Sequence, residues 1–157
     1  MKTNLELSVN GKIHHLEIDA GSTLLDVLRD DLGLTGARRG CETNFCGCCT
    51  VLLDGQAVHS CSVLAVAAKG KEVITIEGLA KNGVLHPLQS AFVAHGAIQC
   101  GFCSPGMILS AKALLDENPA PSEDDVKEAI SGNLCRCTGY KKIVEAILAV
   151  GQGGRQG

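Results

Sequence analysis

The chain has 157 residues, 45% of them hydrophobic, 3% aromatic and none of them Trp, with a formal charge of −3. That length suits one domain or two small ones, with a core built from Leu, Val, Ile and Ala. An acidic, ring-poor chain lacks the basic groove and stacking platforms of a nucleic-acid binder, and no stretch reaches the roughly 20 apolar residues of a membrane span. The N-terminus, Met1-Lys2-Thr3-Asn4-Leu5-Glu6, has no apolar run of a signal peptide, which points to the cytoplasm.

Residues 1–77 read as mixed α/β. Leu5, Leu7 and Val9 alternate with polar residues as in a half-buried strand. Asn10-Gly11 is a hairpin signal, and Ile13, Leu16 and Ile18 supply a return strand with imperfect alternation. Thr23 and Asp26 have the spacing of a capping box. Leu24, Leu25, Leu28 and Leu32 then share one helical face up to Gly33. Val51-Leu52-Leu53 predicts a strand, Asp54-Gly55 a turn, and Val73-Ile74-Thr75-Ile76 a last short strand.

The polar, turn-prone Lys81-Asn82-Gly83 marks a linker over 78–84. Residues 85–150 read as four short helices. Pro87 opens the first, which carries Leu88, Phe92 and Val93 and ends near Gly96. Ser104-Pro105 reads as an N-cap followed by a first-turn proline; that helix stops before Asn118-Pro119. Ser122 and Asp125 form a second capping-box spacing before Val126 and Ile130. A fourth helix runs from about Tyr140 to Gly151, leaving 151–157 as a flexible tail.

Nine cysteines are the anomaly. An odd count without a secretory leader argues against a disulfide framework and for metal ligands. Cys41, Cys46 and Cys49 stand as C-x4-C-x2-C, and Cys61 follows after eleven residues. That is the plant-type [2Fe–2S] ferredoxin pattern, in which a tight loop brings thiolates onto two irons. Gly40 and Gly47 let the loop turn its N–H groups toward the sulfurs, and Arg38 and Arg39 can offset the charge or simply form a solvated basic turn. Cys48, between two ligands, reads as a small buried residue, with an exchange of roles with Cys49 as the alternative. The second set is Cys100-Gly101-Phe102-Cys103 and, 31 residues on, Cys135-Arg136-Cys137. Each pair precedes a predicted helix start, so two helix N-termini would face one anionic site. Taken alone, this second set also suits structural zinc. His14, His15, His59, His86 and His95 form no constellation with acids or Ser, and no Gly-rich phosphate loop is present.

The strings "GCETNFCGCCTVLLDG", "QCGFCSPGM" and "GNLCRCTGY" resemble the small iron–sulfur subunit of the molybdenum hydroxylases, the xanthine dehydrogenase, aldehyde oxidase and carbon monoxide dehydrogenase family. The resemblance spans residues 4–150. It implies an α+β chain: a β-grasp, plant-ferredoxin-like domain holding one [2Fe–2S] cluster on Cys41, Cys46, Cys49 and Cys61. A four-helix-bundle domain would hold a second on Cys100, Cys103, Cys135 and Cys137. It also implies a large molybdopterin-binding subunit beside the second cluster and a medium FAD-binding subunit nearer the first, in a heterotrimer or a dimer of heterotrimers. Gln99 and Cys137 match positions that approach the pterin. Electrons would pass from molybdenum through both clusters to the flavin, and no substrate site is expected in this chain. Cys48 departs from the family's usual Ala, and Asn44 stands where Gly is frequent. The alternatives are a free-standing two-cluster electron carrier and a zinc-stabilised binding module.

Overall fold

A computed structural model describes residues 1–153. The first half forms a five-stranded mixed sheet in the order β2-β1-β5-β3-β4. β1 (Lys2–Val9) and β2 (Lys12–Asp19) pair antiparallel along their whole length. Asn10 and Gly11 join them at φ 52° and 76°, the two left-handed residues a tight hairpin needs. Leu5, Leu7 and Val9 are all buried. β2 is an edge strand: Ile18 is buried but Ile13 is 65% exposed, which is why its alternation reads poorly.

The segment after Thr23 departs from a regular helix. α1 (Leu24–Asp26) opens with the expected capping box: Asp26 N–H donates to Thr23 Oγ1 at 3.1 Å, and Thr23 N–H to Asp26 Oδ2 at 2.9 Å. A wider π-type turn over Val27–Asp31 follows. The added residue per turn rotates Val27 into the core beside Leu24, Leu25 and Leu28 and leaves Leu32 half-buried.

β3 (Thr50–Leu53) and β4 (Gln56–His59) form a hairpin through Asp54-Gly55. β5 (Glu72–Ile74) lies between β1 and β3, parallel to the first and antiparallel to the second. It is shorter than its apolar run suggested. The Asn10 side chain accepts from Thr75 N–H and donates to Thr75 Oγ1, both at 2.9 Å. The chain then leaves the sheet in a 3-10 turn over Ile76–Gly78. Residues 78–84 are ordered by contacts of their own: Leu79 is buried, and Lys81 and Val84 exchange backbone hydrogen bonds across Asn82-Gly83.

Four helices follow: α2 (Pro87–Ala94), α3 (Ser104–Glu117), α4 (Glu123–Ala129) and α5 (Lys141–Gly153). α2 and α4 each pack against both α3 and α5. Three boundaries differ from the sequence reading. Ser104 is the first residue of α3 rather than its cap; Cys103 occupies the cap position with helical backbone angles and, among the described residues, no side-chain cap bond. α5 starts at Lys141, because Tyr140 sits at φ 69° outside the helix. It continues through Gly151 to Gly153, and Gly151 is buried where a Cβ would lie 2.9 Å from Pro121. The remainder of the 151–157 tail lies outside the described residues. Among the described residues, no helix is long and apolar enough to cross a membrane.

Two apolar clusters fill the interior. One joins Leu5, Leu7, Val9, Leu24, Leu25, Leu28 and Val51 on the sheet. The other joins Leu88, Phe92, Met107, Leu109, Ile143 and Ile147, and reaches Leu52 and Cys48. β3 is the shared wall, since successive strand residues face opposite ways: Val51 belongs to the first cluster and Leu52 to the second.

Candidate metal centres

The loop 40–49 is folded around one sulfur. Glu42, Asn44 and Gly47 take left-handed φ values of 54°, 62° and 72°, and the resulting coil points its amides inward. Cys41 Sγ accepts from the N–H groups of Thr43, Phe45 and Cys46 at 3.4, 3.3 and 3.3 Å. Asn44 stands at one of those left-handed positions, which Asn tolerates better than most residues. Its Oδ1 accepts from Ser62 Oγ at 3.1 Å and meets His59 Nδ1 at 2.9 Å. The Asn thereby ties the loop to the segment carrying Cys61. Ser60 completes the approach, its N–H and Oγ both donating to the Cys49 carbonyl.

In the second set, Cys100 and Cys137 are exposed with their sulfurs 3.5 Å apart. Cys103 is buried and in contact with half-buried Cys135. Thr138 N–H donates to Cys135 Sγ at 3.4 Å, and Cys135 N–H donates to the Tyr140 hydroxyl at 2.9 Å. One helix N-terminus, that of α3, follows directly on Cys103. The other expected one is replaced by the turn at Gly139 and Tyr140, both left-handed. Gln99 is exposed beside Cys100.

The thiols are in two electrostatic states. Hydrogen bonds from the Thr43 hydroxyl and then from the Thr43, Cys46 and Phe45 N–H groups lower the Cys41 thiol to about 6. Burial raises Cys135, but the Thr138 hydroxyl and N–H outweigh it and the net shift is downward. Burial pushes Cys103 up to about 12 and Cys49 up to about 11. In each set hydrogen bonds draw one thiol toward its thiolate, and burial holds another protonated until a cation replaces the proton. Among the described residues, no three His, Cys, Asp or Glu side chains converge as a single ion requires. Thiols gathered at two ends suit a two-metal anionic group better than one tetrahedral ion. The donor set therefore fits [2Fe–2S] clusters.

Cys48 is 6% exposed and belongs to the helical core. Burial pushes its thiol up to about 12, with Cys46 in contact with it. Gly40 allows a close approach: a Cβ there would lie 2.7 Å from Cys46 Sγ. The two arginines separate. Arg39 meets Asp26 at 3.1 Å, Asp30 at 2.5 Å and Glu42 at 3.2 Å. Arg38 lies with its guanidinium 5.6 Å from the ring centroid of Phe102, which belongs to the second cysteine set, and its Nε is buried without a partner among the described residues. The supporting roles of Thr43, Asn44, Thr138 and Tyr140 escaped the sequence reading, although all four flank the motif cysteines.

Two family models match the chain: a 2Fe-2S iron–sulfur cluster binding domain over residues 7–80 and a [2Fe-2S] binding domain over residues 75–148. The nicotine 6-hydroxylase small subunit of Paenarthrobacter nicotinovorans is 50% identical over 156 residues, covering 99% of this chain and 94% of that one. The nicotinate dehydrogenase small FeS subunit of Eubacterium barkeri is 47% identical, covering 93% of each. The crystal structure of quinoline 2-oxidoreductase from Pseudomonas putida 86 contains a chain that superposes with a TM-score of 0.93 at 46% identity, covering 99% of this chain and 98% of that one. With two [2Fe–2S] domains and relatives of this kind along nearly its whole length, the chain belongs to the small iron–sulfur, electron-transfer subunits of the molybdenum hydroxylases.

Proposed function

We propose that this chain relays electrons between the molybdopterin centre of a large subunit and the FAD of a medium subunit, within a cytoplasmic heterotrimer or dimer of heterotrimers. Residues 1–77 form the ferredoxin-like domain and hold one cluster on Cys41, Cys46, Cys49 and Cys61. Residues 78–84 connect it to a four-helix bundle over 85–150 that holds the other on Cys100, Cys103, Cys135 and Cys137. When bound, a [2Fe–2S] cluster supplies one-electron chemistry; the protein's part is to hold, desolvate and aim it.

The observation that carries this reading is the asymmetry of the second site. Cys103 is buried, while Cys100, Cys137 and Gln99 face outward. Around them the surface is apolar: Ile98, Phe102 and Leu134 are 38%, 41% and 45% exposed. A shallow trough lined by Leu85, Val93, Ile98, Gly101 and Ile108 adjoins them. A permanent subunit presents such a surface to its partner, with Gln99 and Cys137 as the contacts to the pterin, whereas a transient carrier would present charge. Affinity purification of the tagged chain from its native host tests this. Molybdenum and flavin co-eluting in fixed ratio with the chain are expected; a chain that elutes alone with both clusters would establish the free carrier instead.

Two variants probe the loop. Cys48→Ala keeps both clusters, measured as unchanged iron and sulfide, because Cys48 packs in the helical core; loss of the first cluster would make Cys48 a ligand. Arg38→Gln lowers the midpoint potential of the nearer cluster. Reduction adds negative charge, and the guanidinium stabilises it. The downward shift is read by redox titration, where a tenfold change in a one-electron equilibrium corresponds to about 59 mV.

A further inference from the structure

Asn133 lies two residues before Cys135 and is 3% exposed. Its Nδ2 donates to the Gly47 carbonyl at 3.1 Å and to Thr50 Oγ1 at 3.2 Å, while its Oδ1 accepts from Ser110 Oγ at 2.7 Å. Thr50 Oγ1 in turn donates to the same Gly47 carbonyl at 2.6 Å. Next to this network, Leu134 N–H donates to the Cys46 carbonyl at 2.8 Å. The backbones also touch. A Cβ on Gly47 would overlap the Gly132 carbonyl, and one on Gly106 would lie 2.5 Å from the Gly47 oxygen. The peptide between Cys46 and Cys48 is thus clamped on two sides, by the segment entering Cys135 and by the first turn of α3 after Cys103.

An apolar contact would hold two halves together equally well. A buried amide with every partner in place does something more: it admits one geometry and penalises others, because each broken bond leaves a desolvated polar group. This amide joins a ligand segment of one cysteine set directly to a ligand segment of the other. Building on the two-cluster reading, we propose that Asn133 is a positioning residue that fixes the spacing of the two clusters and thereby the rate at which one electron leaves one and enters the other. Tunnelling falls exponentially with separation, so a clamp on spacing is a clamp on rate.

The test uses Asn133→Asp and Ser110→Ala in the full complex. The first keeps the size of the side chain but turns acceptors toward the Gly47 carbonyl. The second removes one bond at Oδ1 and is the milder change. Iron and sulfide content is read first, then the spin–spin splitting between the two reduced clusters in low-temperature EPR, then the intercluster transfer rate by flash reduction. Both variants are expected to keep full iron. Asn133→Asp should alter the splitting and slow transfer by about 10-fold, the low end of what losing an outer-shell partner of a metal site costs. Ser110→Ala should move both in the same direction by less. Unchanged splitting and rate at full iron would overturn the proposal. So would a cluster lost in Asn133→Asp with Ser110→Ala unchanged, since Asn133 would then serve cluster assembly. Failure of the underlying two-cluster reading is distinguishable, because it appears as missing iron in the unaltered protein.

Discussion

Cys103→Ser is expected to abolish one of the two [2Fe–2S] EPR signals, halve the iron content and leave the other signal intact. Cys103 is buried in the helical core and touches Cys135. Serine offers a harder oxygen in a pocket that matches a soft thiolate ligand. The sheet-side core, which holds Cys49 and packs Cys61, contains no contribution from Cys103, so the first site has no reason to empty. In the proposed complex, electron transfer from molybdenum to flavin should fall by more than the 10–100-fold that losing an outer-shell partner costs. Stopped-flow reduction of the flavin by substrate measures this. Loss of both signals from a chain that stays folded would contradict the division into two independently loaded sites.

Gly47→Ala carries the second large effect, on stability. Gly47 sits at φ 72°, where an L side chain costs about 1–2 kcal/mol. The new methyl also meets the Gly132 carbonyl and Asn133 in a packed interface, an overpacking worth about 1–3 kcal/mol. The sum, roughly 2–5 kcal/mol, is a large fraction of a domain's stability. Thermal unfolding should show a lowered midpoint for the whole chain, since the methyl intrudes where the sheet half and the helical half meet. Gly11→Ala serves as the comparison: it is equally left-handed, at φ 76°, but among the described residues a Cβ there has no atom within 4 Å, so it should cost only the backbone part.

What the sequence made legible were the local features. Asn10-Gly11 and Asp54-Gly55 each place two left-handed residues in a hairpin, and Thr23/Asp26 and Ser122/Asp125 each close a capping box within four residues. The partners are neighbours in the chain, so spacing alone identifies them. Within each short motif the cysteine spacing is local too, although Cys135 follows Cys103 only after 31 residues. The features that stayed hidden depend on partners far away in sequence. β5 ends early because Asn10, 65 residues upstream, captures Thr75. Arg38 lays its guanidinium over Phe102, 64 residues on. Gly47 looked like a loop glycine that frees N–H groups for sulfur, yet its closest neighbours are Gly132 and Asn133, more than 80 residues on. Helix starts failed for a subtler reason. Ser104-Pro105 and Thr138-Gly139 have cap-like composition, but the first lies already inside α3 and the second in a left-handed turn that no spacing rule anticipates.

Whether the chain carries two clusters is decided by purifying it anaerobically, assaying iron, acid-labile sulfide and zinc, and recording EPR after dithionite reduction. Two [2Fe–2S] sites predict four irons and four sulfides per chain, with two distinct signals. Zinc without sulfide, and no EPR signal, would rule out both clusters and reduce the two cysteine sets to structural clips.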